Sequence, residues 1–337
     1  MTINHPVQIV FFGAPGTGKS FEVAKRTNGQ QVVRTTVHPE FTYSDFIGQI
    51  LPSVSKDENV TFEFSPGALT SALQLAYADR SKPVFLVLEE LSRGNVSAIF
   101  GDTFQLLDRG EDGMSRYPIF NKAISQVLPE SEEFIREGSR ERVRFPANLN
   151  ILATVNLNDQ NVAPMDTAFK RRFEWQYVSP APALLPDGNI NLDLNNPRLT
   201  IETEQGGRET DWLSFYTALN AFIVDRNLGL GRSEDRQLGQ FFLTFASGVS
   251  QDTKSANENV RIHADEIVRE IIRNKLLQYL WHDVEGHAIG GRSSSIFRAD
   301  IPSFAELYKR FGTGTVFSDQ FVRAFLFPSG DATGDAQ

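Results

Sequence analysis

Cysteine is absent from all 337 residues, which removes disulfide frameworks, thiolate nucleophiles and zinc-thiolate sites from consideration. Also missing is any uninterrupted run of about 18 apolar residues, the length a membrane-spanning helix needs. The first residues, MTINHP, lack the basic segment and apolar stretch of a secretory signal, so the expected location is cytoplasmic, with no membrane partner. Basic residues are in deficit: 33 Lys and Arg against 42 Asp and Glu give a formal net charge of −9. A broad basic face for autonomous nucleic-acid binding is therefore not expected, although a local basic lining fits within that balance. No repeat with a period of about 20 to 50 residues is found. What remains is 40% hydrophobic and 22% charged, the composition of a globular chain long enough for two domains.

The stretch that carries chemistry runs from Val7 to Lys25, VQIVFFGAPGTGKSFEVAK. Val7, Ile9, Val10, Phe11 and Phe12 form the continuous apolar run of a strand buried on both faces of a parallel sheet, and Phe21, Val23 and Ala24 open a helix. Between them Gly13, Ala14, Pro15, Gly16, Thr17, Gly18, Lys19 and Ser20 complete a phosphate-loop pattern. Successive N–H groups must turn inward around a pyrophosphate, and glycine lets the backbone approach without a Cβ in the way. The helix start adds partial positive charge, Lys19 can bridge the β- and γ-phosphates, and the Ser20 hydroxyl can ligate Mg2+. The expected cofactors are ATP or GTP, with Mg2+.

In chain order, Gln31 to Val37 alternates and is β-branched, which predicts the second strand. Asp45, Phe46, Ile47 and Ile50 suggest a short helix, and residues 53–66 a hairpin or loop before a helix over Ala68 to Ala78. Val84 to Leu88 then end in Glu89 and Glu90. Hydrolysis of a phosphoanhydride needs Mg2+ held at the phosphates and a polarising group beside the attacking water. Glu89 is the candidate for the metal shell and Glu90 for the water. Residues 108–148 are irregular, with Arg136, Arg140, Arg142 and Arg144 among glutamates: a solvated face, or an inserted hairpin directed at a pore or partner. Asn150 to Asn156 predicts another strand, with Asn156 placed to bond the γ-phosphate or its water. A short helix from about Pro164 ends in Arg171 and Arg172. No nearby carboxylate partner is evident for either, which suggests that they reach a phosphate on a neighbouring subunit; the plainer reading is a basic helix C-terminus. Phe173 to Val178 makes a fifth strand.

The expected domains are 1–180 for nucleotide binding, a linker over 181–210, a helical lid over 211–328 and a disordered tail over 329–337. Trp212, Phe215, Leu219, Phe222 and Ile223, and later Val268, Ile271, Ile272, Leu276, Tyr279 and Leu280, recur at helical spacing as core stripes. Arg232 and Arg236 are lid candidates for reaching nucleotide.

GAPGTGKS, HPEFTYSDFI, VFLVLEELSRGNVSAIFGDTFQLLDR and TVNLNDQNVAPMDTAFKRRF, in that order and spacing, resemble the McrB-type branch of the AAA+ superfamily, within the wider MoxR, McrB and dynein-related group. The resemblance covers residues 7 to about 180, and more weakly 231–243 and 275–284. It implies an α/β fold: an αβα sandwich with a five-stranded parallel sheet, a small helical lid, and a ring, usually hexameric, with nucleotide between subunits. By that likeness Lys19 and Ser20 bind phosphates and Mg2+, Glu89 and Glu90 form the Walker B pair, Asn156 is the sensor, Asp159 takes an acidic position after it, and Arg171 or Arg172 acts in trans as an arginine finger. Three departures stand out: Glu for the usual Asp at 89, Gln160 for an Arg, and Gln240 with Phe242 where a histidine and tyrosine are usual. They bear on rate and lid contacts rather than on nucleotide binding. If direct, metal contact through the longer Glu89 slows hydrolysis; a water-mediated contact absorbs the extra methylene.

The implied function is a ring-forming NTPase that couples hydrolysis to movement on DNA and to activation of a separate McrC-like nuclease. The chain starts almost at its first strand and shows no nuclease motif, so recognition and cleavage are expected on other chains. The alternative is a MoxR-type chaperone that remodels a protein client; a third is a nucleotide-dependent scaffold with negligible turnover. ATP is the expected nucleotide, with GTP left open.

Overall fold

Five short strands fix the architecture of the first unit. In the computed structural model, which describes residues 5–54, 60–129, 135–137, 140–156, 165–246, 248–285 and 294–328, they are Gln8–Phe12 (β1), Gln31–Thr36 (β2), Val84–Glu89 (β3), Leu149–Val155 (β4) and Glu174–Tyr177 (β5). They form one sheet in the order β5-β1-β4-β3-β2, parallel throughout. Parallel neighbours require crossovers, and helices on those crossovers cover both faces. The alternation along β1 shows this directly: Val10 packs into the cluster containing Leu73, Leu86 and Ile151, whereas Ile9 and Phe11 pack on the other side with Val23, Val87 and Leu152. Val23 lies on Lys19–Thr27 (α1) and Leu73 on Ala68–Ala78 (α2). The sheet and fold class are those expected from the sequence.

The connections carry more structure. Tyr43–Ile47 is a short helix fixed by a capping box, in which Thr42 and Asp45 satisfy each other's backbone N–H. Gly48–Val54 and Val60–Pro66 pair antiparallel, and Ile119–Phe120, Arg140–Val143 and Ile135–Glu137 form a small antiparallel sheet inside the 108–148 insertion.

The chain divides into two compact units, one of Met1–Gly13 with Lys19–Val178 and the other of Ala14–Gly18 with Ser179–Gln337. Residues 181–210, read above as a linker, contain a strand, Arg198–Thr203, paired in register with Gly206–Asp211. Leu199 and Ile201 are buried in the second unit's core, so this stretch belongs to a folded body; its many proline, asparagine and glycine residues mask a short alternating strand. The rest of that core comes from Trp212–Val224 (α3) and Glu258–Ile271 (α4), the latter continued through π-type turns to Glu285. Trp212, Phe215, Phe222, Val268, Leu276 and Leu280 pack there with Phe317 and Phe321. Among the described residues no helix is long and apolar enough to cross a membrane. The tail over 329–337 lies outside the described residues.

Leu86 is fully buried on β3 between β2 and β4. Leu86→Ala is expected to destabilise the protein by about 2–5 kcal/mol through lost burial and the cavity left behind. Urea denaturation measures this, and a loss under about 1 kcal/mol would contradict the packing described.

Candidate nucleotide-binding site

Because β1, β4 and β3 are adjacent and parallel, with Phe12 opposite Val155 and Leu88 opposite Ala153, their C-terminal ends lie on one edge of the sheet. The groups singled out in the sequence follow directly: Gly13 after β1, Glu89 and Glu90 at the end of β3, and Asn156 after β4. Ligands of open α/β sheets bind at this edge. Ala14, Pro15, Gly16, Thr17 and Gly18 form the loop from β1 to α1, and Lys19, only 8% exposed, directs its ammonium back to the Gly13 carbonyl at 3.0 Å.

Glu89 is held by three donors. The Ser20 hydroxyl donates to Oε2 at 3.1 Å, the Thr154 hydroxyl to the same oxygen at 2.6 Å, and Arg34 of β2 pairs with Oε1 at 2.8 Å. The longer side chain at this position is therefore anchored, with the Ser20 hydroxyl beside it. Among the described residues no group of three or more His, Asp or Glu could hold a metal. A cation here would instead be held by Ser20, Glu89 and phosphate oxygens, hard ligands of the kind Mg2+ takes.

Glu90 has a left-handed backbone, φ 57° and ψ 38°, which is costly for a residue with a Cβ and recurs where function fixes a side chain. Its N–H donates to Thr154 Oγ1 at 3.1 Å. The Asn156 amide nitrogen donates to both carboxylate oxygens, at 2.9 and 2.8 Å, and Arg93 Nε lies 3.4 Å from Oε2. Asn156 Oδ1 is buried and accepts no hydrogen bond. A buried acceptor without a donor is costly, and it sits beside the carboxylate, where an attacking water would supply one. The donor set and this orphaned oxygen fit a Mg2+-bound nucleoside triphosphate. Arg34, Arg93 and Thr154 were missed in the sequence reading; a lone threonine after the apolar run Ile151–Ala153 of β4 was the available signal.

The two arginines occupy the other end of the sheet. Glu174 of β5 pairs with Ile9 near the start of β1, and Arg171 and Arg172 precede it. The phosphate loop leaves β1 about 13 Å further along the strand, so neither arginine adjoins its own chain's loop. They follow the short helix Thr167–Lys170, capped by Asp166 and anchored by Phe169, which stacks on Phe173 with ring centroids 4.7 Å apart.

Arg172 does have a carboxylate partner, contrary to the expectation. It donates to Asp108 Oδ2 at 2.7 Å and to the Ala168 carbonyl at 2.8 Å, with its guanidinium 4.3 Å over Phe104. Asp108 lies 64 residues earlier, so only folding brings it near. Arg171 is exposed, and its side chain has no partner among the described residues. Both line a cleft with Gln8, Asp108, Arg116 and Tyr117. Arg109, in the same cleft, bonds to the carbonyls of Gly113, Pro146 and Leu149, and burial lowers its pKa to about 9.

Arg232 and Arg236, the lid candidates, donate to the carbonyls of Glu285 and Asp283 at the end of the long helix, satisfying groups that a helix C-terminus leaves open. Asp159, with Gln160, lies outside the described residues.

Arg172→Ala is expected to cost about 1–3 kcal/mol by leaving Asp108 and Ala168 without their donor, and Arg171→Ala to stay within about 0.5 kcal/mol of the parent. Thermal unfolding of the two variants checks this; equal losses would contradict the different roles.

Comparison with known proteins agrees with this geometry. The AAA domain of the dynein-related subfamily matches residues 8–173. The component YdiS of the Type II restriction enzyme BsuMI from Bacillus subtilis (strain 168) is 29% identical over a 343-residue alignment that covers 93% of this chain and 88% of that protein. The EcoKMcrB subunit of a Type IV methyl-directed restriction enzyme from Escherichia coli (strain K12) is 25% identical over 270 residues, covering 78% of this chain and 53% of that protein; the match thus spans about half the length of that relative. The chain is thus similar over residues 8–173 to AAA domains of the dynein-related subfamily, and over most of its length to components of two restriction enzymes, one of them an McrB subunit.

Proposed function

We propose that this chain is the motor subunit of a McrB-like restriction or defence system. It hydrolyses ATP in preference to GTP within a ring of identical copies, six in number by family likeness, and the cycle drives movement on DNA and activates a separate McrC-like nuclease. The observation that carries hydrolysis is the bidentate Asn156 to Glu90 contact at the sheet edge where the phosphate loop begins. The restriction context is supported by two relatives, each named as part of a restriction enzyme.

The loop residues 13–18 with Lys19 and Ser20 bind the phosphates, and Ser20 and Glu89 hold the cation. The cation held there would be Mg2+, which when bound would neutralise phosphate charge. Glu90 orients the water and takes its proton as the water oxygen bonds to the γ-phosphorus and the bond to the β-phosphate oxygen breaks. Asn156 holds Glu90 through its amide nitrogen and accepts from the water through Oδ1. Asp159 is assigned the acidic position after the sensor. Arg171 of an adjoining copy stabilises the charge developing on the transferred phosphoryl group; its free guanidinium at the far edge of the sheet supports this assignment over Arg172.

Lys19→Ala and Glu90→Gln are each expected to lower steady-state phosphate release by about 10²-fold or more, and duplex DNA or a nuclease subunit to stimulate the parent. Unchanged turnover in Lys19→Ala would overturn the reading, and stimulation by a protein client alone would redirect it to a chaperone. Specific activity should rise with concentration as rings assemble. Mixing inactive Arg171→Ala with inactive Glu90→Gln should restore phosphate release, since a Glu90→Gln copy can lend its arginine to an intact site; no recovery would count against the trans assignment.

A further inference from the structure

Two backbone hydrogen bonds from a later stretch of the chain hold the phosphate loop. Ala14–Gly18 groups with the second unit, and within that unit Gly239 N–H donates to the Pro15 carbonyl at 2.9 Å and Phe241 N–H to the Gly16 carbonyl at 2.9 Å. A trans peptide is planar, so its carbonyl and the following N–H point in opposite directions. Fixing the Pro15 and Gly16 carbonyls toward Gly239–Phe241 therefore turns the N–H groups of Gly16 and Thr17 the other way, away from that segment. The Thr17 hydroxyl closes the loop on itself by donating to the Ala14 carbonyl at 3.0 Å.

Both sides of this contact require glycine. A Cβ on Gly16, whose φ is +76°, would lie 2.3 Å from the Phe242 nitrogen, and one on Gly239 would lie 2.2 Å from the Gly16 oxygen. Such distances to backbone atoms leave no room for a side chain, so the approach is a specified feature of two separate stretches of sequence.

The donating segment is itself rigidly placed. Gln240 is 2% exposed; its Oε1 accepts from Ala183 N–H at 2.8 Å and its Nε2 donates to the Leu194 carbonyl. Its own carbonyl accepts from Trp212 Nε1 at 2.8 Å and Asn195 Nδ2 at 2.9 Å. Phe242 packs on Tyr279 with centroids 4.7 Å apart. Four regions of the second unit thus converge on Gln240 and Phe242, and Gly239 and Phe241 beside them direct two N–H groups at the phosphate loop.

We propose that Gly239–Phe241 is a positioning segment for nucleotide binding: it holds the Pro15 and Gly16 carbonyls so that the Gly16 and Thr17 N–H groups face the phosphates, and Gln240 is the hub that fixes it. The proposal rests on the reading that this loop binds a nucleoside triphosphate. It places part of the binding affinity in the backbone donors of Gly239 and Phe241. By linkage, bound nucleotide must strengthen the same two hydrogen bonds by the free energy that they lend to binding.

The test is equilibrium binding of a fluorescent ATP analogue with Mg2+ to the full chain, alongside hydrogen exchange of the parent with and without ATP and Mg2+. Gly239→Ala is expected to weaken binding by about ten-fold or more through loss of both hydrogen bonds, to raise KM, and to leave kcat at saturation near the parent's because Glu90 and Asn156 are untouched. Gln240→Ala should shift KM in the same direction by less. In the parent, the Gly239 and Phe241 amides should exchange more slowly with nucleotide bound, a measurement that stands even if Gly239→Ala fails to fold. Binding by Gly239→Ala within about two-fold of the parent, or exchange at these amides indifferent to nucleotide, would overturn the proposal. Lys19→Ala separates the two levels: if it loses binding while Gly239→Ala keeps it, only the positioning role falls, and if it binds as the parent does, the phosphate-loop reading falls with it.

Discussion

Parallel pairing of β1 with β4 and of β4 with β3 is the constraint on which the site depends. It brings three strand ends to one edge, so that a loop, two acids and an amide separated by up to 143 residues in sequence (13 to 156) become neighbours. Register matters as much as proximity. Strand side chains alternate faces, so a one-residue slip of β4 would turn Thr154 away from Glu89 and withdraw the hydroxyl that joins the two acids. The complete burial of β4 sets that register, because its apolar side chains fill both faces of the sheet.

The polar contacts at this edge form one connected set. Thr154 donates to Glu89 and accepts from the Glu90 backbone, so a single hydroxyl ties the candidate metal-shell acid to the left-handed turn that aims the next carboxylate. Arg34 occupies the outer oxygen of Glu89, and Arg93 and Asn156 hold Glu90. These contacts pre-order the two carboxylates, and pre-ordering removes a cost that would otherwise oppose a reaction at them. At the opposite edge, Arg171 and Arg116 are exposed in the cleft that Arg109 and Arg172 also line, so a chain with a net charge of −9 still presents concentrated positive charge. Balance over the whole sequence says little about such local arrangement.

What could be read from the sequence was whatever the chain spells out locally. The phosphate loop needs its glycines, lysine and serine in one unbroken run, and buried parallel strands announce themselves as apolar runs, so the loop, the sheet strands along the chain and the acids at 89 and 90 were visible before folding. Contacts between distant segments were hidden. Asp108 stands 64 residues from Arg172, and nothing in either neighbourhood marks them as partners, which is why both arginines looked equally free. The hairpin at Arg198–Thr203 and Gly206–Asp211 was obscured by turn-forming neighbours.

By itself, then, the sequence determined the chemistry on offer: a phosphate cradle, a pair of acids, an amide and two adjacent arginines, because each is written in residue type and short spacing. Tertiary structure decided which of these act together. It paired Glu90 with Asn156, withdrew Arg172 into an ion pair while leaving Arg171 exposed, and set Gly239 and Phe241 against the loop carbonyls, because hydrogen bonds and burial depend on separations that the chain acquires only when its strands are in register.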